Sequence, residues 1–397
     1  MISEESCMLK ICHISTMTNW GGVERMLVDF LSTNHQGSFA HSLLSTSSSP
    51  EILSEVQRRG VPIFEPKRRL RYDPTAIAQM AQWLRAQNVS IAHAYNAVPN
   101  AYGNLAALLA NTPIFVSSER GTVWRSRSHL LWLNRLAYQR ADAVIANSEA
   151  SKLLVMKRYK VPAQKIRVIH NFVAAPLRVE RETVRQQFGL TDEFVIGSIG
   201  RLETQKGYTV FVDAAQQVLQ HLPNARFILV GGGEEEATLR KQVDDAGIAD
   251  KFILTGWRSN AREILQSFDL FVSTSMFEPF GNVLVEAAMV GIPVIAPYVD
   301  GIPEAVADGV TGKLLRPSQR PTSITGLPSQ VVIDGQLREP LMLDTEVLVD
   351  TILKFAANQD MRRAYGAAGK TRAYEMFTLA KYVGNVDRLY TDLLEAA

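Results

Sequence analysis

Two glutamates eight residues apart bracket the stretch Glu278-Pro279-Phe280-Gly281-Asn282-Val283-Leu284-Val285-Glu286. An apolar run at 268–277 precedes it and reads as a buried parallel strand, and the spacing that follows predicts a helix over 282–290. A helix that opens after a proline and a glycine offers backbone N–H groups and the positive end of its dipole to an anion. Glu278 falls in the loop before this helix; Glu286 falls one turn inside it, too far along to cap. Anion donors flanked by carboxylate acceptors for hydroxyls are what a phosphorylated sugar or nucleoside requires. With 23 Glu in 397 residues, about one pair at this spacing arises by chance, so the motif counts only through its strand–turn–helix context.

A second candidate lies upstream. Gly200-Arg201-Leu202-Glu203-Thr204-Gln205-Lys206-Gly207 follows an apolar run and precedes a helical pattern. Arg201 could grip a diphosphate through its planar fork and Lys206 as a point charge, or both could be ordinary solvated loop cations. Gly21-Gly22, between the first strand and the first helix, would let backbone approach a ligand, or would simply make a tight turn. The dinucleotide fingerprint G-x-G-x-x-G is missing there. Gly231-Gly232-Gly233 resembles a phosphate loop, but Glu234-Glu235-Glu236 follows and would repel a phosphate, so a capped turn is expected. His93, ending a strand, could face a ligand or be a satisfied core histidine; Cys12 and His13 share a buried strand and carry no assigned chemistry. The segment 124–135 mixes aromatics, leucines and arginines and could lie on a membrane interface or be an ordinary domain helix. No Asp-x-Asp occurs, so the usual carboxylate pair for a metal–diphosphate complex is missing, and no G-x-x-x-x-G-K-[ST] loop occurs either.

The elements that would position these residues repeat in a simple way. Apolar runs at 9–15, 42–45, 61–64, 90–95, 113–117, 143–146 and 166–170 alternate with amphipathic segments such as 23–31, 77–87 and 150–159. Alternating β and α patterns mean a parallel, doubly wound sheet. A second series runs through 194–200, 226–230, 252–255, 270–274, 293–296 and 313–315, and helical patterns resume from 345. Residues 318–341, rich in Ser, Thr, Pro and Gly with one strand candidate at 330–333, read as a surface insertion. The expected fold is α/β, two Rossmann-like domains at 1–176 and 177–379 facing a central cleft, with a ligand at the carboxyl ends of their strands. Composition agrees: 46% hydrophobic and 21% charged residues suit a globular chain. The acidic start is unlike a secretory signal, and two cysteines give neither a disulfide framework nor a zinc pattern, so a cytoplasmic location is expected. Residues 1–176 carry 20 Lys+Arg against 11 Asp+Glu, net +9; residues 177–397 carry 22 against 29, net −7. The basic half calls for an anionic partner, and with no nucleic-acid motif present an anionic membrane surface or acceptor is expected instead.

With these pieces placed, the sequence resembles the retaining glycosyltransferases of family 4, the group 1 enzymes with the GT-B fold. The resemblance runs from Gly21-Gly22 to the terminal helices and is most specific in the second half. It combines the Arg201/Lys206 loop, Gly256-Trp257, Glu278 to Glu286, the strand Gly291-Ile292-Pro293-Val294-Ile295-Ala296, and Asp308-Gly309-Val310-Thr311-Gly312. It implies a sugar moved from a nucleotide-sugar donor, a UDP- or GDP-sugar, to a hydroxyl of a glycan, lipid-linked or small-molecule acceptor. No metal or other cofactor is implied. Arg201 and Lys206 would hold the diphosphate, Glu286 the ribose hydroxyls, and Glu278 the transferred sugar. Phe280, Gly281, Asn282 and Val283 would offer backbone N–H groups, Trp257 would lie by the base, and Gly22 would reach the phosphate. The last helix, 380–397, would pack back on the first domain. Many members end the strand at 113–118 with a histidine; here Glu119-Arg120 stands there, so either Glu119 takes over the sugar contact or Arg120 faces an anionic acceptor. A nucleotide-sugar epimerase on the same fold, or a non-catalytic sugar-nucleotide or membrane-binding protein, are the competing readings.

Overall fold

The computed structural model describes residues 8–33, 39–68, 73–121, 128–323 and 325–397, with the backbone alone of 128–131. The chain divides into two compact units, Met1–Phe172 with Leu379–Ala397, and Val173–Thr378.

The first unit is built on a parallel sheet of β1 (Leu9–Met17), β2 (Phe39–Ser48), β3 (Ile63–Phe64), β4 (Ile91–Tyr95), β5 (Ile114–Glu119), β6 (Ala143–Ala146) and β7 (Ile166–Val168), in the order β3-β2-β1-β4-β5-β6-β7. The crossover helices are α1 (Gly22–Leu31), α2 (Pro50–Arg58), α3 (Pro74–Ala86), α4 (Ala97–Ala110), α5 (Ser128–Arg140) and α6 (Glu149–Tyr159). Local sequence sets where two of them begin: Ser49 caps α2 and Asp73 caps α3 through their side chains, each followed by a proline that lacks the N–H the first turn cannot use. The last helix, α15 (Leu379–Glu395), returns to this unit and sets Tyr382, Val386, Leu389 and Tyr390 among Ile11, Phe30, Leu43, Tyr95 and Val116 of its core.

The second unit repeats the plan. After α7 (Arg181–Gln186) come β8 (Phe194–Ile199), α8 (Tyr208–His221), β9 (Ala225–Val230), α9 (Glu236–Asp245), β10 (Phe252–Leu254), α10 (Ala261–Leu265), β11 (Leu270–Val272), α11 (Asn282–Met289), β12 (Val294–Pro297), α12 (Ile302–Ala305) and β13 (Gly312–Leu315). Its six parallel strands run β10-β9-β8-β11-β12-β13 over a core of Phe211, Phe227, Phe252, Val272, Ile295 and Ile352. An antiparallel hairpin of β14 (Val331–Ile333) and β15 (Gln336–Arg338) precedes α13 (Thr345–Ala357) and α14 (Gln359–Met376).

Two expectations need correction. The run 268–277 is strand only over Leu270–Val272; Ser273 N–H still reaches Ile295 O of β12 at 2.9 Å, and beyond it the chain stays buried but leaves the sheet. The stretch 318–341 is not all surface, since Val331, Val332 and Ile333 are buried.

Candidate active site

Every strand of a parallel sheet ends at the same edge, so in the second unit the loops after β8, β9, β10, β11 and β12 gather on one side. They are stitched together by backbone. Leu202 N–H donates to Gly232 O (3.0 Å), Glu235 N–H to Leu202 O (2.9 Å), Gly231 N–H to Gly256 O (3.0 Å) and Met276 N–H to Gln205 O (2.8 Å). A Cβ at Gly231 would lie 1.8 Å from Gly200 O, and one at Gly207, whose φ is +60°, 2.4 Å from Thr274 O. The triple glycine therefore serves close loop packing. The expected side-chain cap is not made there, since Glu235 at the N-cap of α9 gives no cap bond and instead accepts from Thr204 Oγ1 at 3.1 Å.

Within this frame Lys206 and Glu278, assigned to different parts of a ligand, meet. Lys206 Nζ donates to Glu278 Oε2 at 2.5 Å, their side chains only 15% and 17% exposed. The backbone on either side is fixed too, because Thr274 Oγ1 donates to Lys206 O at 2.8 Å. An ammonium has three N–H donors, so one spent on Glu278 leaves the group able to serve a second acceptor. Four residues after Glu278, α11 opens at Asn282, following Gly281, whose φ of +92° no other residue adopts cheaply and which has no side chain to cap the helix. The start of α11 is thus a concentration of backbone donors beside a cation. Phe280 is buried edge-to-face on Phe377, ring centroids 5.4 Å apart, so it anchors the turn while Val283 follows in the first helical turn. Glu286 is held by Arg262, whose Nε lies 2.9 Å from Oε1. Arg201 is outside this cluster, 65% exposed and paired with Glu203 at 2.8 Å. Trp257 is 70% exposed at the rim, its backbone against Gly232.

Two residues of this site had no sequence signal. Arg262 pairs across 24 positions, and Asp300 bonds across 22. Asp300, in a left-handed conformation at φ +46°, accepts the Glu278 N–H at 3.0 Å and the Val332 N–H at 2.7 Å. Burial pushes its carboxyl from the ordinary 3.8 up to about 8 against the pull of those two N–H donors, with the Glu278 charge adding to the rise.

The candidates of the first unit are placed differently. Gly21 is the N-cap of α1, a position without a side-chain cap bond, and Gly22 is the helix's first residue. A Cβ at Gly21 would stand 2.6 Å from Glu24 Oε2. His93 does not end β4, which runs two residues further; it is fully buried, bonded to Tyr390 Oη (2.6 Å) and Ser118 Oγ (2.7 Å). Burial, then the charges of Arg120 and His41, hold it well below the ordinary histidine range, so it is a neutral core group. Glu119 is the last residue of β5, 1% exposed, and accepts from Gly121 N–H and from Tyr138 Oη, both at 2.7 Å. Arg120, 6% exposed, donates to Asn171 Oδ1 and to Tyr382 Oη at 2.8 Å, with its guanidinium over the Tyr382 ring. Both alternatives put forward for this pair need an accessible side chain, and the structure gives both side chains buried polar partners. Residues 124–127 lie outside the described residues; the rest of that segment is in α5.

Two doubly wound parallel units in one chain define the GT-B class of fold. The crystal structure of Anabaena Alr3699/HepE in complex with UDP and glucose matches with a TM-score of 0.81 at 21% identity, covering 97% of this chain and 100% of that one. Sucrose-phosphate synthase from Thermosynechococcus elongatus matches at a TM-score of 0.74 and 18% identity, covering 98% and 100%. The family model for glycosyl transferases group 1 matches residues 180–341 and that for Glycosyltransferase Family 4 matches residues 20–175; the chain belongs to this family of glycosyltransferases. Among its relatives, the N-acetyl-alpha-D-glucosaminyl L-malate synthase of Bacillus anthracis is 26% identical over 81% of this chain and 80% of that protein. The UDP-Gal:alpha-D-GlcNAc-diphosphoundecaprenol alpha-1,3-galactosyltransferase of Escherichia coli is 26% identical over 74% and 80%.

Proposed function

We propose that this glycosyltransferase takes a sugar from a UDP- or GDP-sugar and places it, with retained anomeric configuration, on a hydroxyl of a glycan, lipid-linked or small-molecule acceptor. The observation that carries the reading is the Lys206–Glu278 pair close to the start of α11, where the N-cap residue Gly281 makes no side-chain cap bond. A leaving nucleoside diphosphate gains charge as its bond to the sugar breaks, and fixed donors stabilise that charge most where water is scarce. Lys206, Arg201 and the first N–H groups of α11 take that role, with no metal required. Glu278 orients the sugar hydroxyls, Glu286 in the grip of Arg262 binds the ribose, and Trp257 lines the base. In the step itself the acceptor oxygen bonds to the anomeric carbon on the face the diphosphate leaves. The electron pair of the broken bond goes to the diphosphate oxygen, which also takes the acceptor proton.

UDP donors come first in the test, because Alr3699/HepE was crystallised with UDP and with UDP-glucose and the Escherichia coli relative is named for a UDP-Gal donor. A thermal-shift panel of UDP, GDP, ADP and their sugars decides it. A nucleotide at a hundred times its Kd adds about 2.7 kcal/mol to the stability of the native state. A panel in which no nucleoside diphosphate moves Tm sinks the reading. Transfer should persist in excess chelator, with strict metal dependence counting against the cation account, and an inverted product anomer would refute retention.

The first unit is assigned the acceptor and an anionic lipid surface. Its basic sequence supports this, as do Trp132 and Leu136, one turn apart on α5 and 60% and 46% exposed. Among the described residues no helix is long and apolar enough to cross a membrane. Sedimentation with anionic and neutral liposomes tests the surface; equal binding to both removes it.

A further inference from the structure

We infer that Asp300 is a positioning residue through which the β14–β15 hairpin fixes the turn that presents Glu278, and so sets how the transferred sugar is held; this rests on the glycosyltransfer reading of the Glu278 site. The peptide units of that turn are gripped from both sides. The Glu278 N–H donates to Asp300 Oδ2 at 3.0 Å, and the Glu278 carbonyl accepts from Gly301 N–H at 3.2 Å. Gly301 fits only because it has no side chain: a Cβ there would lie 2.1 Å from Pro279 O. The two residues that clamp the turn are adjacent in sequence.

Behind the clamp stands the hairpin. Asp300 N–H donates to Val332 O at 2.8 Å while Asp300 Oδ1 accepts from Val332 N–H at 2.7 Å, so residue 300 pairs with residue 332 as a strand neighbour would. A second tie lies two residues away: Asp334 in the hairpin turn pairs with Arg316, whose guanidinium sits 4.9 Å above the Tyr298 ring. The hairpin belongs to the 318–341 stretch that interrupts the βα repetition, and the six-stranded sheet closes without it. The hairpin, buried at Val331 to Ile333, is thus tied through Val332 and Asp334 to the loop at 298–301, and through that loop to Glu278. One carboxyl group, with an oxygen for each side, joins an added element to the residue assigned to the sugar.

Asp300→Ala removes both acceptors, and Asp300→Asn keeps one oxygen for one of the two N–H groups. The wild type and both variants are titrated with UDP and with UDP-glucose, Tm is recorded, and kcat and KM for UDP-glucose are compared. The alanine variant should bind UDP within about threefold of wild type, lose the extra affinity for UDP-glucose over UDP, and lose about tenfold or more in kcat, since small misplacements of a contacting group are costly. The asparagine variant should fall between. A wild-type preference for UDP-glucose and a kcat that both survive in Asp300→Ala overturn the inference. So does an equal loss of UDP and UDP-glucose binding in the folded asparagine variant, which would make the contact purely structural. If the wild type binds neither those probes nor GDP and its sugars, the glycosyltransfer reading itself fails and this inference falls with it.

Discussion

Lys206→Ala separates what the Lys206–Glu278 pair does for the fold from what it does for turnover. With side chains 15% and 17% exposed, the pair is mostly out of water, so deleting the cation leaves the Glu278 carboxylate largely shielded from solvent and without this counter-ion. A fully buried pair broken in this way costs about 3–5 kcal/mol; the residual exposure lowers this to about 1–3 kcal/mol. For a unit of this size that is a fall in Tm of about 2–12 °C. Turnover should fall by about 10²–10³, the loss typical of one fixed donor to a developing negative charge. The double variant Lys206→Ala/Glu278→Ala distinguishes the two effects. Removing both partners relieves the stranded charge, so Tm should recover toward wild type while kcat stays low. Scanning calorimetry with initial-rate measurements reads both. A kcat that recovers together with Tm would make both Lys206 and Glu278 structural residues, and a Lys206→Ala variant that keeps its turnover would refute the diphosphate assignment.

Arg201→Ala should lower turnover about tenfold, less than Lys206→Ala, because a cation 65% exposed acts through screened solvent; rates at two salt concentrations check the ordering. Arg262→Ala removes the Arg262 grip on the Glu286 carboxylate and should raise the donor KM about tenfold with kcat little changed. Asp300 binds its proton more tightly in the folded protein, about 8 against 3.8, so its contribution to stability is complete below about pH 4 and is lost as pH rises toward 8. Urea midpoints across that window should therefore fall with pH less steeply in Asp300→Asn than in wild type. Gly231→Ala would force a Cβ to within 1.8 Å of Gly200 O and should cost about 1–3 kcal/mol, seen as a lower Tm.

Most of the architecture could be read along the chain because it is local. Runs of Val, Ile and Phe between amphipathic segments need no distant information, and strands β8 to β13 fall where those runs do. What failed depended on side chains with distant partners. The 268–277 run looks like one strand, but after Val272 its donors turn to the neighbouring loop: the Thr274 hydroxyl donates to Lys206 O, and the Met276 N–H to Gln205 O. The short polar strand Gln336-Leu337-Arg338 has no apolar alternation of its own and exists because Val331–Ile333 pairs with it. Glu278 and Lys206 were each visible as a chemical group, but not as each other's counter-ion 72 positions apart. Glu119 and Arg120 were legible as unusual residues at a strand end. Their burial was not, since it depends on Tyr138 and Tyr382.

The return of α15 to the first unit has a consequence for how the chain is made. Tyr382 and Tyr390 are buried among residues from β1, β4 and α1, and Tyr390 Oη meets His93 Nδ1. A ribosome delivers that helix only after the whole of Val173–Thr378 has emerged. The second unit can therefore close on itself during synthesis, while the first waits with an open apolar groove until residues 379–395 arrive. That order makes the nascent first unit the part most exposed to aggregation. It also explains in advance why a fragment ending near residue 172 should behave as a sticky, incomplete domain.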